Sequence, residues 1–367
     1  MFLKEARSID KEKSDHPHIG ICVSKAKRRL RKLVKQRLQQ YPDDATIITF
    51  YIEDVDLVKH NVRGTCLEKR AGEISRSKGI FPFPDVIYMQ CDLDHKMLKE
   101  FEQVIGHKVF NSFIFDKWKG WHLLANDKVL CHHLPDTRKL ESEIDLQQFL
   151  YDYEDIFLKP INPIYAHNSK GIVRVKLQRE GGIEVTYRQK GLRRKSFEFY
   201  EEFQDWISPK YFKDYIVQQS IATIKWGKKV TDIRLNMNKN GKGEWEVTLL
   251  LFRIASNDSH SMPGILAAHP FSNLPKMYPQ NKNMENIEIS VVNLGFKICH
   301  VLDKSEHHMA DLGIDLGVDE NGHLWIFEVN PLPYPLRGVD DLSMTRPLEY
   351  ASYLALTNQQ EQEKEKE

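Results

Sequence analysis

The 367-residue sequence contains no run of about 18 apolar side chains, the least a helix needs to cross a bilayer. Its start, MFLKEARSIDKEKSDHPHIG, lacks the apolar core of a secretory signal. Cysteine is sparse and scattered: Cys22, Cys66, Cys91, Cys131 and Cys299, with no CxxC pair. An odd, dispersed set argues against a disulfide framework or a zinc site and fits a reducing cytoplasm. Charge of one sign is lacking too. Fifty-three Lys and Arg face 52 Asp and Glu, a formal net charge of +1, so no global field points to nucleic acid or a membrane surface. There is no GxSxG elbow for a Ser-His-Asp hydrolase, no GxxxxGK(S/T) phosphate loop and no EF-hand spacing.

What is present is ordinary globular material. The chain is 41% hydrophobic and 29% charged, and its length is enough for two or three domains of about 150 residues. HIGICVS reads as a first strand. The basic stretch SKAKRRLRKLVKQRLQQYP follows, with Leu30, Leu33, Val34 and Leu38 at helical spacing. ATIITFYI and the end of FPFPDVIYMQ read as strands, and LDHKMLKEFEQVIG as a helix. Residues 1–110 therefore predict an α/β lobe. Short helices and loops dominate 111–155. Alternating segments separated by EGG and NKNGKG predict mostly antiparallel sheet over 155–255. A Pro-rich looped region spans 256–282, a helix 283–308, and the tail NQQEQEKEKE reads as disordered.

The chemistry concentrates in GIDLGVDENGHLWIFEVNP, residues 313–331. Strand alternation puts Asp315, Gly317 and Asp319 on one face and Ile314, Leu316 and Val318 on the other. DENG is a turn signal, so a hairpin is expected. In the return strand Glu328 and Asn330 share a face, with Trp325, Phe327 and Val329 opposite. Asp315 then comes across from Glu328. Two such carboxylates repel and lose hydration unless something compensates. A hard divalent cation does so, and oxygen ligands of this kind suit Mg²⁺. A solvated hairpin face with incidental acids is the plainer reading of the hairpin alone.

Upstream features bear on that choice. IFLKPINPIYAHNSKGIVRV places Lys159 at a strand end before a loop with Asn168, Ser169, Lys170 and Gly171. Small residues and a lysine can hold phosphate oxygens, although an ordinary β-hairpin loop has the same look. DYIVQQSI is an apolar strand ending in amides. Asp232 and Arg234 share a face and can pair with each other. Arg253 lies in an apolar strand and needs a partner, either a structural carboxylate or a transferring phosphoryl group.

In order, LKP with its Ser/Gly loop, IVQQSI, DIRL, an apolar strand with an arginine, and GIDLG…IFEVNP resemble the ATP-grasp family. FNSFIFDKWKGWHLL, LPDT, YEDIFLKP and FEVNPLP look like its spore-coat-associated YheC/YheD-type group. The resemblance spans about 80–335. It implies an α+β ATP-grasp fold, two α+β subdomains gripping ATP, over 111–345. An N-terminal lobe (1–110) precedes it, and a helix end and disordered tail (346–367) follow. It implies ATP and Mg²⁺, in two copies, as cofactors. Lys117 and Lys159 would hold phosphates, and Ser169, Lys170 and Gly171 would form the phosphate loop. Gln218 would contact the adenine amino group, with Gln219 and Ile221 as hinge backbone. Asn273 would match an acceptor-loop asparagine. Asp315, Glu328 and Asn330 would be metal ligands, and Arg234, Arg253 and Lys117 the catalytic cations. The relatives' Gly-Gly after Leu274 is missing, and no acid stands between Ile221 and Asp232.

The implied activity is a carboxylate–amine or carboxylate–thiol ligase working through an acyl-phosphate. Its substrates would be small-molecule or peptide carboxylates and amines, with spore-coat proteins as further partners. The rival is a nucleotide-binding structural or assembly protein of the coat without turnover. Localisation would be cytoplasmic or spore-associated. Lys25, Lys27, Arg28, Arg29, Arg31, Lys32, Lys35 and Arg37 read as a solvated helix face, with no interleaved aromatics to stack bases. The His132-His133 and His307-His308 pairs read as structural or surface. Phe197, Phe199, Tyr200, Phe203 and Trp206 read as helix core.

Overall fold

The structure is a computed structural model that describes residues 16–25, 30–162, 171–207, 211–212, 214–256, 265–278, 280–284, 286–333 and 341–364. Three sheets organise them. The first is built from β1 (His18–Val23), α1 (Arg31–Gln40), β2 (Ala45–Asp56), β3 (Asn61–Arg70), β4 (Glu73–Pro82), β5 (Val86–Met89), α2 (His95–Ile105) and β6 (Val109–Phe110). Its strand order is β4-β3-β2-β1-β5-β6. β1, β2, β5 and β6 run parallel, as a strand–helix alternation requires. β3 and β4, absent from the sequence reading, add an antiparallel meander. β4 lies at the edge and is mostly exposed, so its polar residues blur the period-two signal. Ala71 and Gly72 join the two strands, both at positive φ (48° and 83°), as a two-residue hairpin turn demands.

α1 buries Leu33, Val34 and Leu38 as its spacing predicts. The expectation of a solvated basic face fails for two of its charges. Arg37 shares the buried face with Val34 and Leu38, is 1% exposed, and donates to the carbonyls of Ser343 (2.7 Å) and Met344 (3.0 Å). Arg31 donates to the hydroxyls of Thr49 and Thr65. Lys32 and Lys35 are exposed, and Lys27, Arg28 and Arg29 lie outside the described residues. All five cysteines are free thiols, yet Cys22 and Cys91 meet at 3.8 Å between sulfurs.

After α3 (Lys117–Ala125) comes the second sheet: β7 (Thr137–Lys139), α4 (Glu143–Tyr153), β8 (Asp155–Pro160), β9 (Val173–Leu177), β10 (Ile183–Arg188), β11 (Leu192–Phe197), α5 (Tyr200–Trp206) and β12 (Tyr215–Gln219). It is antiparallel throughout, in the order β11-β10-β9-β8-β12-β7. α4 and α5 pack Phe149, Leu150 and Phe203 onto Ile156, Leu158, Val175 and Val217. Phe197, Tyr200 and Trp206 join that core, but Phe199 is exposed. Alternation leaves Phe157, Lys159, Arg174 and Gln218 on the opposite face.

The third sheet holds β13 (Lys225–Trp226), β14 (Lys229–Lys239), β15 (Trp245–Ala255), β16 (Ile265–Pro270), β17 (Asp311–Val318) and β18 (Leu324–Asn330), ordered β16-β15-β14-β17-β18 with β13 paired to β14. The stretch read as one antiparallel region over 155–255 is thus divided between two sheets, the chain crossing at residues 220–224. β16 lies inside the segment expected to be looped; pairing with β15 overrides its proline punctuation. α6 (Leu274–Met277) follows β16. α7 (Ile287–Asp303) covers one face of the sheet, packing Val291, Leu294 and Ile298 on Ile233, Leu235, Ile314 and Leu316. α8 (Arg346–Lys364) packs Leu348, Tyr350, Ala351 and Ala355 against the first sheet, and its helix runs on into the polar tail expected to be disordered. No described helix is long and apolar enough to cross a membrane.

Candidate functional site

The hairpin forms, and Asp315 pairs directly with Glu328 across it, with Gly313 opposite Asn330. Ile314, Leu316 and Val318 are buried in the core beneath, as alternation requires. Asp319 closes the turn. Its Oδ1 accepts from the amides of Asn321 and His323, each at 2.9 Å. The return strand differs from the expected pattern. A bulge skips Phe327, so Leu316 pairs with Ile326. Leu324, Ile326 and Val329 therefore enter the core. Trp325 instead donates to Asp319 at 3.1 Å, and Phe327 turns over Gly317. A Cβ on Gly317 would sit 2.4 Å from the Phe327 ring, so only glycine allows this arrangement.

The acids on this face are met by cations. Asp315 Oδ1 accepts from Arg234 Nη1 and from Arg253 Nη2, both at 2.9 Å. Arg253 also grips Asp232 in a bidentate pair, with Nε to Oδ1 at 2.6 Å. Arg234 therefore pairs with Asp315 and not with Asp232, and its Nε donates to Asn236 at 2.8 Å. Burial pushes the Asp315 carboxyl up, but the two guanidinium charges outweigh it and hold the group below the usual carboxylate range. Glu328 accepts from the Lys117 ammonium, presented by the first turn of α3. Asn330 Nδ2 lies 3.5 Å from Asp315.

The second sheet faces this floor. Lys159 Nζ lies 5.9 Å from the centre of the Phe327 ring. Burial, with the nearby Lys117 charge, lowers the Lys159 pKa to about 8, and Glu328 offsets part of that. Gln218 was expected at an adenine amino group. It is 4% exposed, its carbonyl accepts from Lys159, and its amide donates to Thr137 Oγ1 at 2.9 Å. Both ends are engaged because Lys159 and Gln218 lie on the same face of neighbouring strands, so Gln218 orients the lysine. The Gln219 amide is committed to the Asp136 carbonyl at 2.9 Å. Ile221 sits in the crossing segment between the sheets. Gly171 adopts φ 83°, a conformation that favours glycine. Ser169 and Lys170 lie outside the described residues. Asn273 ends a 3₁₀ turn after β16 and makes no hydrogen bond to the acid–cation cluster among the described residues. Of the histidine pairs, His132 is exposed, while His133 contacts the Leu324 carbonyl, His307 stacks on Phe113, and His308 meets Tyr350. Sequence reasoning missed Phe327, Phe157 and Asn236, whose orientation depends on the bulge and on cross-strand pairing.

The site thus has acids on one sheet, lysines over them, and a crossing segment between two sheets. The sequence pattern of YheC/D-like ATP-grasp proteins matches residues 106–354. The chain belongs to this ATP-grasp family. The endospore coat-associated protein YheD of Bacillus subtilis (strain 168) is 26% identical over 300 residues, covering 76% of this chain. That match spans 64% of the length of YheD. Among solved structures, N5-carboxyaminoimidazole synthetase from Staphylococcus aureus, complexed with ADP, aligns with TM-score 0.53 and 10% identity over 92% of this chain and 77% of its own. The D-alanine-D-alanine ligase from Coxiella burnetii aligns with TM-score 0.52 and 10% identity over 95% of this chain and 97% of its own. At such identity these two show the ATP-grasp fold.

In this ATP-grasp chain the donor chemistry fits a hard cation. Two cross-strand carboxylates and an amide converge, and Asp315 is held ionised. Gly313 keeps the floor in register. A Cβ there would lie 2.3 Å from Arg234 Nη2 and 2.8 Å from Pro333. Gly313→Ala is expected to displace the guanidinium from Asp315 and to cost about 1–3 kcal/mol through overpacking. Urea unfolding reads that cost, and an unchanged midpoint contradicts it.

Proposed function

We propose that this chain is an ATP- and Mg²⁺-dependent ligase that joins a carboxylate to an amine or thiol through an acyl-phosphate, in the setting of the spore coat or envelope. The observation that carries the reading is the Asp315–Glu328 pair facing Lys117 and Lys159 across the two sheets. Four cations, Lys117, Lys159, Arg234 and Arg253, face three carboxylates, Asp232, Asp315 and Glu328. One positive charge is left over to favour an anionic substrate.

Asp315, Glu328 and Asn330 would hold magnesium, which would supply positive charge to offset that of the phosphates. Lys117 and Lys159 take the phosphate oxygens, with Gln218 aiming Lys159. Phe327, lying beneath Lys159 on the cleft face, offers its ring to the base. A carboxylate oxygen of the substrate attacks the γ-phosphorus, the bond to the β-phosphate oxygen breaks, and ADP leaves. The amine then adds to the acyl-phosphate carbonyl, inorganic phosphate departs, and the amine proton passes to solvent. Arg253, locked by Asp232, is positioned to stabilise the oxyanion of that addition. Residues 1–110, with their own sheet, would form the lobe that precedes the ATP-grasp unit.

Hydroxylamine trapping tests the chemistry. With ATP, Mg²⁺ and a panel of amino acids and peptides, a hydroxamate and ADP are expected. Tight ATP binding without hydroxamate from any carboxylate would support the rival, a coat assembly protein with a retained nucleotide site, which the coat association of YheD favours. The pH dependence is a second test. Below about pH 8 Lys159 is charged in the free protein, and above it the ammonium is lost. Phosphate stabilises the charged form, so nucleotide affinity should fall as pH rises past 8, by up to tenfold per pH unit. Calorimetry in buffers of different ionisation heat should show proton uptake just above pH 8; none would contradict the role of Lys159.

A further inference from the structure

We propose that Asn111 is a positioning residue that fixes the geometry of the metal-facing hairpin from outside it. This rests on the reading of Asp315, Glu328 and Asn330 as magnesium ligands. Asn111 follows β6, the last strand of the first sheet, and is completely buried. Its φ is 52°, in the left-handed region where glycine is at ease and asparagine is tolerated.

The side-chain amide of Asn111 is fully used. Nδ2 donates to the carbonyls of Asp311 and Pro331, each at 2.7 Å. Oδ1 accepts from the amides of Ala310 (2.8 Å) and Asp311 (3.0 Å). Two donor hydrogens and two acceptor sites are all a carboxamide has. The Asn111 main-chain amide adds a bond to the His308 carbonyl at 2.7 Å.

These contacts fall at the open end of the hairpin. The β17–β18 ladder runs from Val318 opposite Leu324 to its last pair, Gly313 opposite Asn330. Beyond that pair the two strands have no ladder of their own, and the Asn111 carboxamide bridges them. One carbonyl it holds belongs to Pro331, next in sequence to Asn330. The other belongs to Asp311, the first residue of the strand that carries Asp315. The separation of the Asp315 strand from the Asn330 side chain is therefore set by a group from the first sheet. Glycine would suit the backbone better. A buried asparagine at positive φ is retained only where its side chain outweighs the strain, and here that side chain makes four hydrogen bonds.

Asn111→Gly removes the amide and relieves the backbone. Asn111→Asp keeps an acceptor and loses both donors, a second variant should the first fold poorly. The readout is the affinity of a fluorescent ADP analogue, with excess Mg²⁺ and with a chelator. In both variants the gain in affinity that Mg²⁺ confers should drop by about 10–100-fold, with affinity in chelator unchanged. A general loss of structure would lower both values alike. If Asn111→Gly and Asn111→Asp keep the full Mg²⁺-dependent gain shown by the unaltered chain, this inference is overturned and the ligase reading stands. If the unaltered chain binds the analogue with no gain from Mg²⁺, the metal reading falls and the inference with it.

Discussion

Glu328→Ala is expected to abolish ATP turnover while the chain stays folded. Glu328 stands across from Asp315 on the cleft face, and among the described residues it forms its ion pair with Lys117, while its charge also supports the nearby Lys159 ammonium. Removing it takes away one of two carboxylates that would neutralise magnesium. A metal contributes several kcal/mol of charge stabilisation in phosphoryl transfer, so the loss should be at least roughly 10³-fold. Stability should change little. The Glu328 carboxylate is about a third exposed, and a pair so screened contributes no more than about 1 kcal/mol. Glu328→Gln preserves shape and removes only charge, and it should be as inactive as alanine. ADP release, read beside a thermal melt, measures both effects. Full turnover in either variant would sink the metal assignment.

The second large effect is on stability. Arg253 and Asp232 are both nearly buried and form a bidentate pair, and Arg253 also reaches Asp315. Arg253→Met leaves the Asp232 charge buried without its partner, which should cost about 3–5 kcal/mol. Adding Asp232→Leu removes the orphaned charge. The double variant should recover most of that stability, because a buried ion pair is often no better than apolar packing of similar volume. It should not recover activity, since one of the two cations beside Asp315, Arg253, is still missing. Chemical denaturation separates the cases. A double variant as unstable as the single one would show that the cost comes from packing around the arginine.

The two predictions draw on features of unequal legibility. The meeting of the acids was readable only in part. DENG marks the turn and brings the two acidic strand segments together, but the unbulged register set by Val318 opposite Leu324 would put Asp315 across from Phe327, and the bulge is what brings Glu328 there. The Phe327 ring was misplaced because the bulge belongs to the ladder between two strands and leaves no mark on either. Gln218 read as a free amide at a strand end. Its engagement with Lys159 and Thr137 depends on which strands become neighbours, and β7 and β8 flank it from different parts of the chain. Arg37 resembled its solvated neighbours by composition, but one helical turn carried it onto the buried face. β4 and β16, each at the edge of its sheet, were hidden for a related reason. Edge strands stay wet, so hydrophobic alternation fades where a sheet ends.

The most direct test is a structure of the chain with Mg²⁺ and a non-hydrolysable ATP analogue. The phosphates are expected beneath Lys117 and Lys159, with metal touching Asp315, Glu328 and Asn330, and Phe327 against the base. An analogue bound outside the space between the second and third sheets, or phosphates held with no metal at Asp315 and Glu328, would contradict it.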